Sequence, residues 1–224
     1  MEIPKINDLL DLSHTLAAPL FDGCRYPWEV LPKIKNFIIE LSKTLPADEY
    51  YSPSDGVFIS KTATIAPSAS ITGPCIIGPG AEIRHCAFIR GSALIGAGAV
   101  VGNSTELKNC ILFDCVQVPH YNYVGDSVLG YRSHMGAGSV TSNVKSDKTN
   151  ITVLVEDERL ETGLRKFGAI LGDFAEIGCG TVLNPGSLIG RTTNVYPQSV
   201  VRGFVPSNCI YKSADKIVTK IERN

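Results

Sequence analysis

The sequence predicts an all-β chain built as a left-handed parallel β-helix, and three observations predict it. An aliphatic or aromatic residue recurs every six positions, at Ile59, Ile65, Ile71, Ile77, Ile83, Ile89, Ile95, Val101, Leu107 and Phe113. A small residue stands two places before most of them, at Ala63, Ala69, Cys75, Ala81, Ala87, Ala93, Ala99 and Thr105. The same phrase resumes at Leu171, Ile177, Leu183, Ile189, Val195 and Val201. A period of six is neither the 3.6 of a helix nor the 2 of a simple strand; it is the hexapeptide signature. Three phrases make one coil of roughly 18 residues, so Ile59, Ile77, Ile95 and Phe113 are expected to stack in one interior column beside columns through Ile65 and Ile71.

Residues 57–205 are therefore read as the β-helix. Residues 1–56 lack the repeat and carry helical spacing instead, with Ile6, Leu9, Leu10 and Leu12 in one stretch and Ile34, Phe37, Ile38 and Leu41 in another. They are expected to form an N-terminal helical cap over the first coil, whose edge would otherwise be open. Two interruptions break the repeat. After Phe113 the spacing to Leu129, Met135 and Thr141 stops being a multiple of six, so residues 116–126 are expected to loop out. Between residues 144 and 168, Ile151–Val155, a charged turn Glu156–Arg159 and a returning Leu160–Thr162 predict a projecting hairpin arm. Residues 206–224 are read as a C-terminal tail.

Composition narrows the function. At 224 residues, 44% hydrophobic and 19% charged, with a net charge of −1, the chain is an ordinary globular protein with no field to draw nucleic acid or an anionic membrane. No apolar leader follows Met1 and no long apolar run occurs, so a cytoplasmic protein is expected. Seven cysteines without a CxxC pair read as reduced core filler rather than disulfides or a metal site.

Among four histidines only His120 falls in a break of the repeat, inside the polar and aromatic run Pro119-His120-Tyr121-Asn122-Tyr123-Val124-Gly125-Asp126. A neutral imidazole there can accept a proton near pH 7. That run, followed by Met135-Gly136-Ala137-Gly138-Ser139-Val140-Thr141-Ser142-Asn143, resembles the acetyltransferase domain of the bifunctional N-acetylglucosamine-1-phosphate uridyltransferases. Thr162-Gly163-Leu164-Arg165-Lys166-Phe167-Gly168-Ala169-Ile170-Leu171-Gly172-Asp173 is similar to the archaeal-type sugar-1-phosphate nucleotidylyltransferases that carry the same C-terminal domain. The resemblance covers about residues 57–205.

The resemblance implies roles residue by residue. His120 stands at the place of the general base. Arg90, Lys108 and Tyr123 stand at those of the sugar-phosphate ligands, with Glu106 as the acidic neighbour of the lysine. Arg90 and Lys108 are one coil apart and should share an outer face, where a planar fork and a point charge can pinch a phosphate. His134 replaces an asparagine of the family pattern, Asn143 keeps the sugar-contacting position but is followed by Val144, and Cys179 replaces a serine beside the acyl donor. Backbone N–H groups near Ala137 would face the oxyanion. Acetyl-CoA would lie near Cys179 and Pro197, with Arg165, Lys166 or a neighbouring subunit's Arg202 near its phosphates.

The expected activity is N-acetylation of an amino sugar phosphate, most simply glucosamine 1-phosphate, by a homotrimer with sites between subunits and no metal. Residues 1–56 have neither the glycines nor the length of a nucleotide-binding domain, so no pyrophosphorylase activity is expected. The alternative is a non-catalytic hexapeptide protein that binds sugar nucleotide or scaffolds a separate nucleotidyltransferase. A zinc hydratase on this fold would need three converging histidines, and the sequence has no His-x-x-x-x-His spacing.

Overall fold

The computed structural model describes residues 2–156 and 158–221. Its body is a parallel β-helix of short strands in which each coil hydrogen-bonds to the next, so successive coils stand about 4.8 Å apart. Three interior columns run its length. The first holds Ile59, Ile77, Ile95, Leu112, Leu129, Leu171, Ile189 and Val205 in register. The second holds Ile65, Ile83, Val101, and, after Val118, Met135, Ile177, Val195 and Tyr211. The third holds Ile71, Ile89, Leu107, Val124, and then Thr141, Leu183 and Val201.

These columns correct two expectations. Leu112, not Phe113, follows Ile95, because the step from Leu107 contracts to five residues at Asn109, whose φ is +50°. Phe113 turns outward and meets Phe21 edge-on at 6.2 Å between ring centroids. The same contraction recurs from Val124 to Leu129, so residues 116–126 do not loop out. They form the strand Gln117–His120, a tight corner and the strand Tyr123–Leu129, stacked in register on the coil before them.

The N-terminal helices exist, at Ile6–Leu9 and Ile34–Ser42, with 3₁₀ turns including Pro27–Lys33 between them. They do not cover the end of the first coil. That edge is paired by the antiparallel strand Tyr50–Ser54 lying on Val57–Ser60. The helical segment runs instead along the first face, against the strands Cys75–Ile77, Ala93–Ile95, Glu106–Leu112 and Tyr123–Leu129. The reason is in the side chains. On this face the outward residues are also apolar: the aliphatic Ile76, Leu94, Ile111, Val128, Ile170 and Leu188 are buried, and Phe58 and Phe204 at the two ends are half-buried. Such a stripe costs free energy in water and is stabilised by covering. Trp28, 2% exposed, anchors the cover by stacking on Tyr26 and Phe167.

The arm is present as the antiparallel hairpin Thr152–Val155 with Glu158–Glu161. The coil also continues past Val205: Cys209–Ser213 stacks on Asn194–Val195, and Lys216–Thr219 folds back antiparallel on it to close the last edge. No helix among the described residues is long and apolar enough to cross a membrane.

Candidate functional site

Two corners of the β-helix border its third face, and they gather most of the residues singled out by the sequence. At the corner between the second and third faces, the residue two places after each second-column side chain stacks on its equivalent in the next coil. Tyr121 N–H donates to Asn103 O at 2.9 Å, Gly138 N–H to His120 O at 3.0 Å, Gly180 N–H to Ala137 O at 2.8 Å, and Gln198 N–H to Cys179 O at 2.8 Å. His120, Ala137, Cys179 and Pro197 thus form one continuous line. Each is followed by a residue in the left-handed region, Tyr121 at φ +52°, Gly138 at +70°, Gly180 at +67° and Gln198 at +56°. The coil must turn there. His120 is exposed, and its backbone is fixed by Asn122, whose Oδ1 accepts the His120 N–H at 3.1 Å while its Nδ2 donates to Gly136 O at 2.8 Å. Beneath the strand, a Cβ on Gly102 would overlap the Pro119 backbone, so only glycine lets the preceding coil approach so closely.

The stack also leaves donors unspent. Gly136, Gly138 and Gly180 give their N–H groups to neighbouring coils, whereas those of Ala137 and Cys179 have no acceptor among the described residues. Both stand in the His120 column, on successive coils.

The opposite corner, between the third and first faces, holds Asn109, Asp126 and Asn143. Asp126, 4% exposed and at φ +48°, is its centre. Its carboxylate accepts from Asn109 Nδ2 at 2.9 Å, from Asn143 Nδ2, and from Lys108 Nζ at 3.2 Å. Asn143 also donates to the Tyr123 hydroxyl at 3.3 Å, and Asn109 to Leu31 O of the N-terminal segment at 3.2 Å. Across the face, Arg90 Nη1 lies 2.6 Å from Glu106 Oε1, and Glu106 is the register neighbour of Tyr123. Burial, reinforced by the Asp126 and Glu106 charges, pushes the Tyr123 hydroxyl above the usual phenol range, so it stays a neutral donor near pH 7. Hydrogen bonding to Glu106 raises the Arg90 guanidinium further.

Arg90, Glu106, Lys108, Tyr123 and Asn143 are therefore brought together on the third face. His134 is not with them. It points from the middle of the second face, where its Nδ1 meets Glu176 Oε2 at 3.0 Å in register. Arg165 and Lys166 are exposed on the return of the arm, and Arg202 lines a cleft under it. In sequence Asp126 is one more residue of the His120 motif, with no role of its own. The signal was present: like His120, Asp126 stands two places after an interior residue, and both corners use that position.

Comparison with known proteins adds ancestry to this geometry. Residues 71–165 match the family model described as GMPPB C-terminal domain. The chain is 29% identical over 198 residues to the bifunctional protein GlmU of Methanococcus maripaludis, covering 87% of this chain and 48% of that protein. It is 35% identical over 101 residues to a bifunctional sugar-1-phosphate nucleotidylyltransferase/acetyltransferase of Sulfurisphaera tokodaii, covering 45% of this chain and 25% of that one. Among solved structures, a hexapeptide transferase family protein from Anaplasma phagocytophilum is 18% identical with a TM-score of 0.42, over 75% of this chain and 82% of that one. The chain spans about half the length, or less, of the curated relatives it matches. The resemblance carried by the motifs holds: residues 71–165 of the hexapeptide region match the GMPPB C-terminal domain, and the chain is similar over most of its length to the bifunctional GlmU of Methanococcus maripaludis.

Proposed function

We propose that this protein is an acetyl-CoA-dependent N-acetyltransferase acting on an amino sugar phosphate, most simply glucosamine 1-phosphate, with His120 as general base. The observation that carries the reading is the continuous corner line of His120, Ala137, Cys179 and Pro197, set beside a face bearing Tyr123, Asn143, Arg90 and Lys108. The similarity to bifunctional GlmU and nucleotidylyltransferase/acetyltransferase proteins supports it.

In this reading the sugar lies on the third face. Asn143 and Tyr123 contact its hydroxyls, and Arg90 and Lys108 hold its phosphate in competition with Glu106 and Asp126. The thioester lies along the corner line. His120 takes a proton from the amine as the nitrogen attacks the thioester carbonyl, and the Ala137 and Cys179 N–H groups face the oxyanion that forms. Collapse breaks the C–S bond and the thiolate takes up the proton, giving amide and free thiol.

The first face is covered by the chain's own N-terminal segment and, at its later coils, by the arm, so a homotrimer would pair the second face of one subunit with the third face of the next. Phe88 at 41% and Val200 at 63% exposure lie on the third face and would be covered by that pairing. His134 would then reach the sugar only from the adjoining subunit's side of the cleft. Thiol release from acetyl-CoA, with glucosamine 1-phosphate as acceptor and His120→Ala as control, tests the activity. Release in wild type that His120→Ala abolishes supports the proposal; no release with any amino sugar phosphate leaves a non-catalytic sugar-nucleotide binder as the better reading.

A further inference from the structure

The arm builds a cleft, and of its residues the acetyl-transfer reading uses Arg202 alone. Between it and the third face lies a cavity of about 510 Å³, whose wall includes Ser142, Thr152, Asn184 and three cations, Lys145, Arg159 and Arg202, against one acid, Asp147. The cleft is preformed. Gly186 at φ +79° and Gly203 at φ +78° stand at the coil edge, where an added Cβ would come within 2.8 Å of Ile151 and 2.7 Å of Leu154 O, so the strand Thr152–Val155 is laid directly on the prism. That strand alternates. Ile151, Val153 and Val155 are buried, while Thr152 and Leu154 line the cleft. Arg159 is the register partner of Leu154, which places it on the same side.

Charge availability separates this cleft from the rest of the face. Arg90 and Lys108 are each paired with a carboxylate, at 2.6 and 3.2 Å. Lys145 is held by Thr149 and Asn150, and the cleft's acid, Asp147, accepts from Thr149. Arg159 and Arg202 enter no ion pair or side-chain hydrogen bond among the described residues. Two guanidinium groups without carboxylates, facing one polar cavity across a rigid wall, are suited to bind phosphate oxygens in pairs. Ser142, at the cleft, is also the chain neighbour of Asn143, so a ligand here adjoins the proposed sugar position.

We infer that this cleft binds the diphosphate of a nucleotide through Arg159 and Arg202. Two ligands carry that chemistry: the nucleotide end of the acyl-donor coenzyme and a nucleotide-linked sugar. The inference does not depend on acetyl transfer. The test is calorimetric titration of the full chain with coenzyme A and, separately, with UDP and GDP, repeated on Arg159→Ala, Arg202→Ala and Lys35→Ala. Loss of one charge-assisted contact should weaken binding about tenfold or more in each arginine variant. Lys35→Ala, an exposed position of the N-terminal segment, should bind as wild type does, and because titration reads binding without turnover, failure of the acetyltransferase reading and failure of this one are separable. Coenzyme A sensitivity alone assigns the cleft to the donor; UDP or GDP sensitivity assigns it to a nucleotide-linked sugar. Unchanged binding, in both arginine variants, of every ligand that wild type binds, or no binding of any to wild type, overturns the inference. Both arginines are exposed, and a matching unfolding midpoint in each variant secures the comparison.

Discussion

The first and third faces of this β-helix share one backbone geometry and one kind of interior column, yet they do opposite work. On the first face the outward residues Ile76, Leu94, Ile111, Val128, Ile170 and Leu188 are aliphatic, and most of the stripe lies beneath the N-terminal segment. On the third face the equivalent outward positions read Ser70, Phe88, Glu106, Tyr123, Val140, Val182 and Val200, and the polar members cluster at Glu106 and Tyr123. In a strand successive side chains alternate between core and exterior. Half of each repeat therefore fixes the prism while the other half is free to choose what covers it. Stability is built on one flank and chemistry on another, and they meet at Asp126, whose partner Asn109 also bonds the N-terminal segment at Leu31 O.

If that division holds, the largest effect should come from His120→Ala. Turnover should fall by about two to four decades with the unfolding midpoint unchanged, because the side chain is exposed and supports no packing. Steady-state thiol release and a thermal melt, run together, check it. Trp28→Ala should do the reverse. Removing an indole packed on Tyr26 and Phe167 should cost about 3–5 kcal/mol in urea unfolding, while the folded fraction keeps its catalytic constant.

Asp126→Asn probes the junction, so it should move both readouts. Removing the charge beneath Lys108 and Asn143 should destabilise by about 1–3 kcal/mol and raise the KM for the sugar substrate. It should also lower the Tyr123 hydroxyl part of the way toward the ordinary phenol range, since burial, the larger cause, remains; ultraviolet titration reads this directly.

A pH dependence sharpens the first-face side. Burial raises the Asp173 carboxyl above its ordinary value, although Arg191 and the N–H groups of Asp11 and Tyr131 oppose it. Burial likewise raises Asp114. A carboxyl with a raised folded value binds its proton more tightly folded than unfolded, so stability should fall as pH rises from the ordinary carboxylate range through the raised value. Urea midpoints across that window should show the slope, and Asp173→Asn should flatten it. The smallest effect belongs to Glu106→Gln. The Arg90 pair is largely exposed, so stability should not change measurably, and any change should appear in the KM for the sugar phosphate.

Legibility in the sequence followed how local each cause is. The repeat and the arm were readable because each depends on a short phrase: an aliphatic residue with a small one before it, or two β-rich runs around a charged turn. The apolar stripe beneath the N-terminal segment was present too, as Cys-Ile-Ile, Ala-Leu-Ile and Cys-Ile-Leu triplets one coil apart, but helical spacing in residues 1–56 says only that those helices have an apolar face. In sequence the five-residue steps at Leu107 and Val124 look like a looped-out segment, because dropping one residue and inserting many break a count in the same way. His120 is singled out in sequence by its motif, whereas its place on a corner line with Ala137 and Cys179 appears only in the structure. Asp126 was passed over because a lone acid in a motif gains meaning only when Lys108, Asn109 and Asn143 are seen to converge on it.

The sequence by itself determined the parallel β-helix and its interior columns outside the stretch from Phe113 to Leu129, since a period repeated over many coils leaves few other ways to bury its aliphatic residues. Only the tertiary structure decided that the helical segment covers a flank rather than an end, that His134 faces away from Tyr123, and that Arg159 and Arg202 share a cleft. Those outcomes depend on which residues two distant stretches place opposite each other, and that is set by packing across the fold rather than by the pattern within either stretch.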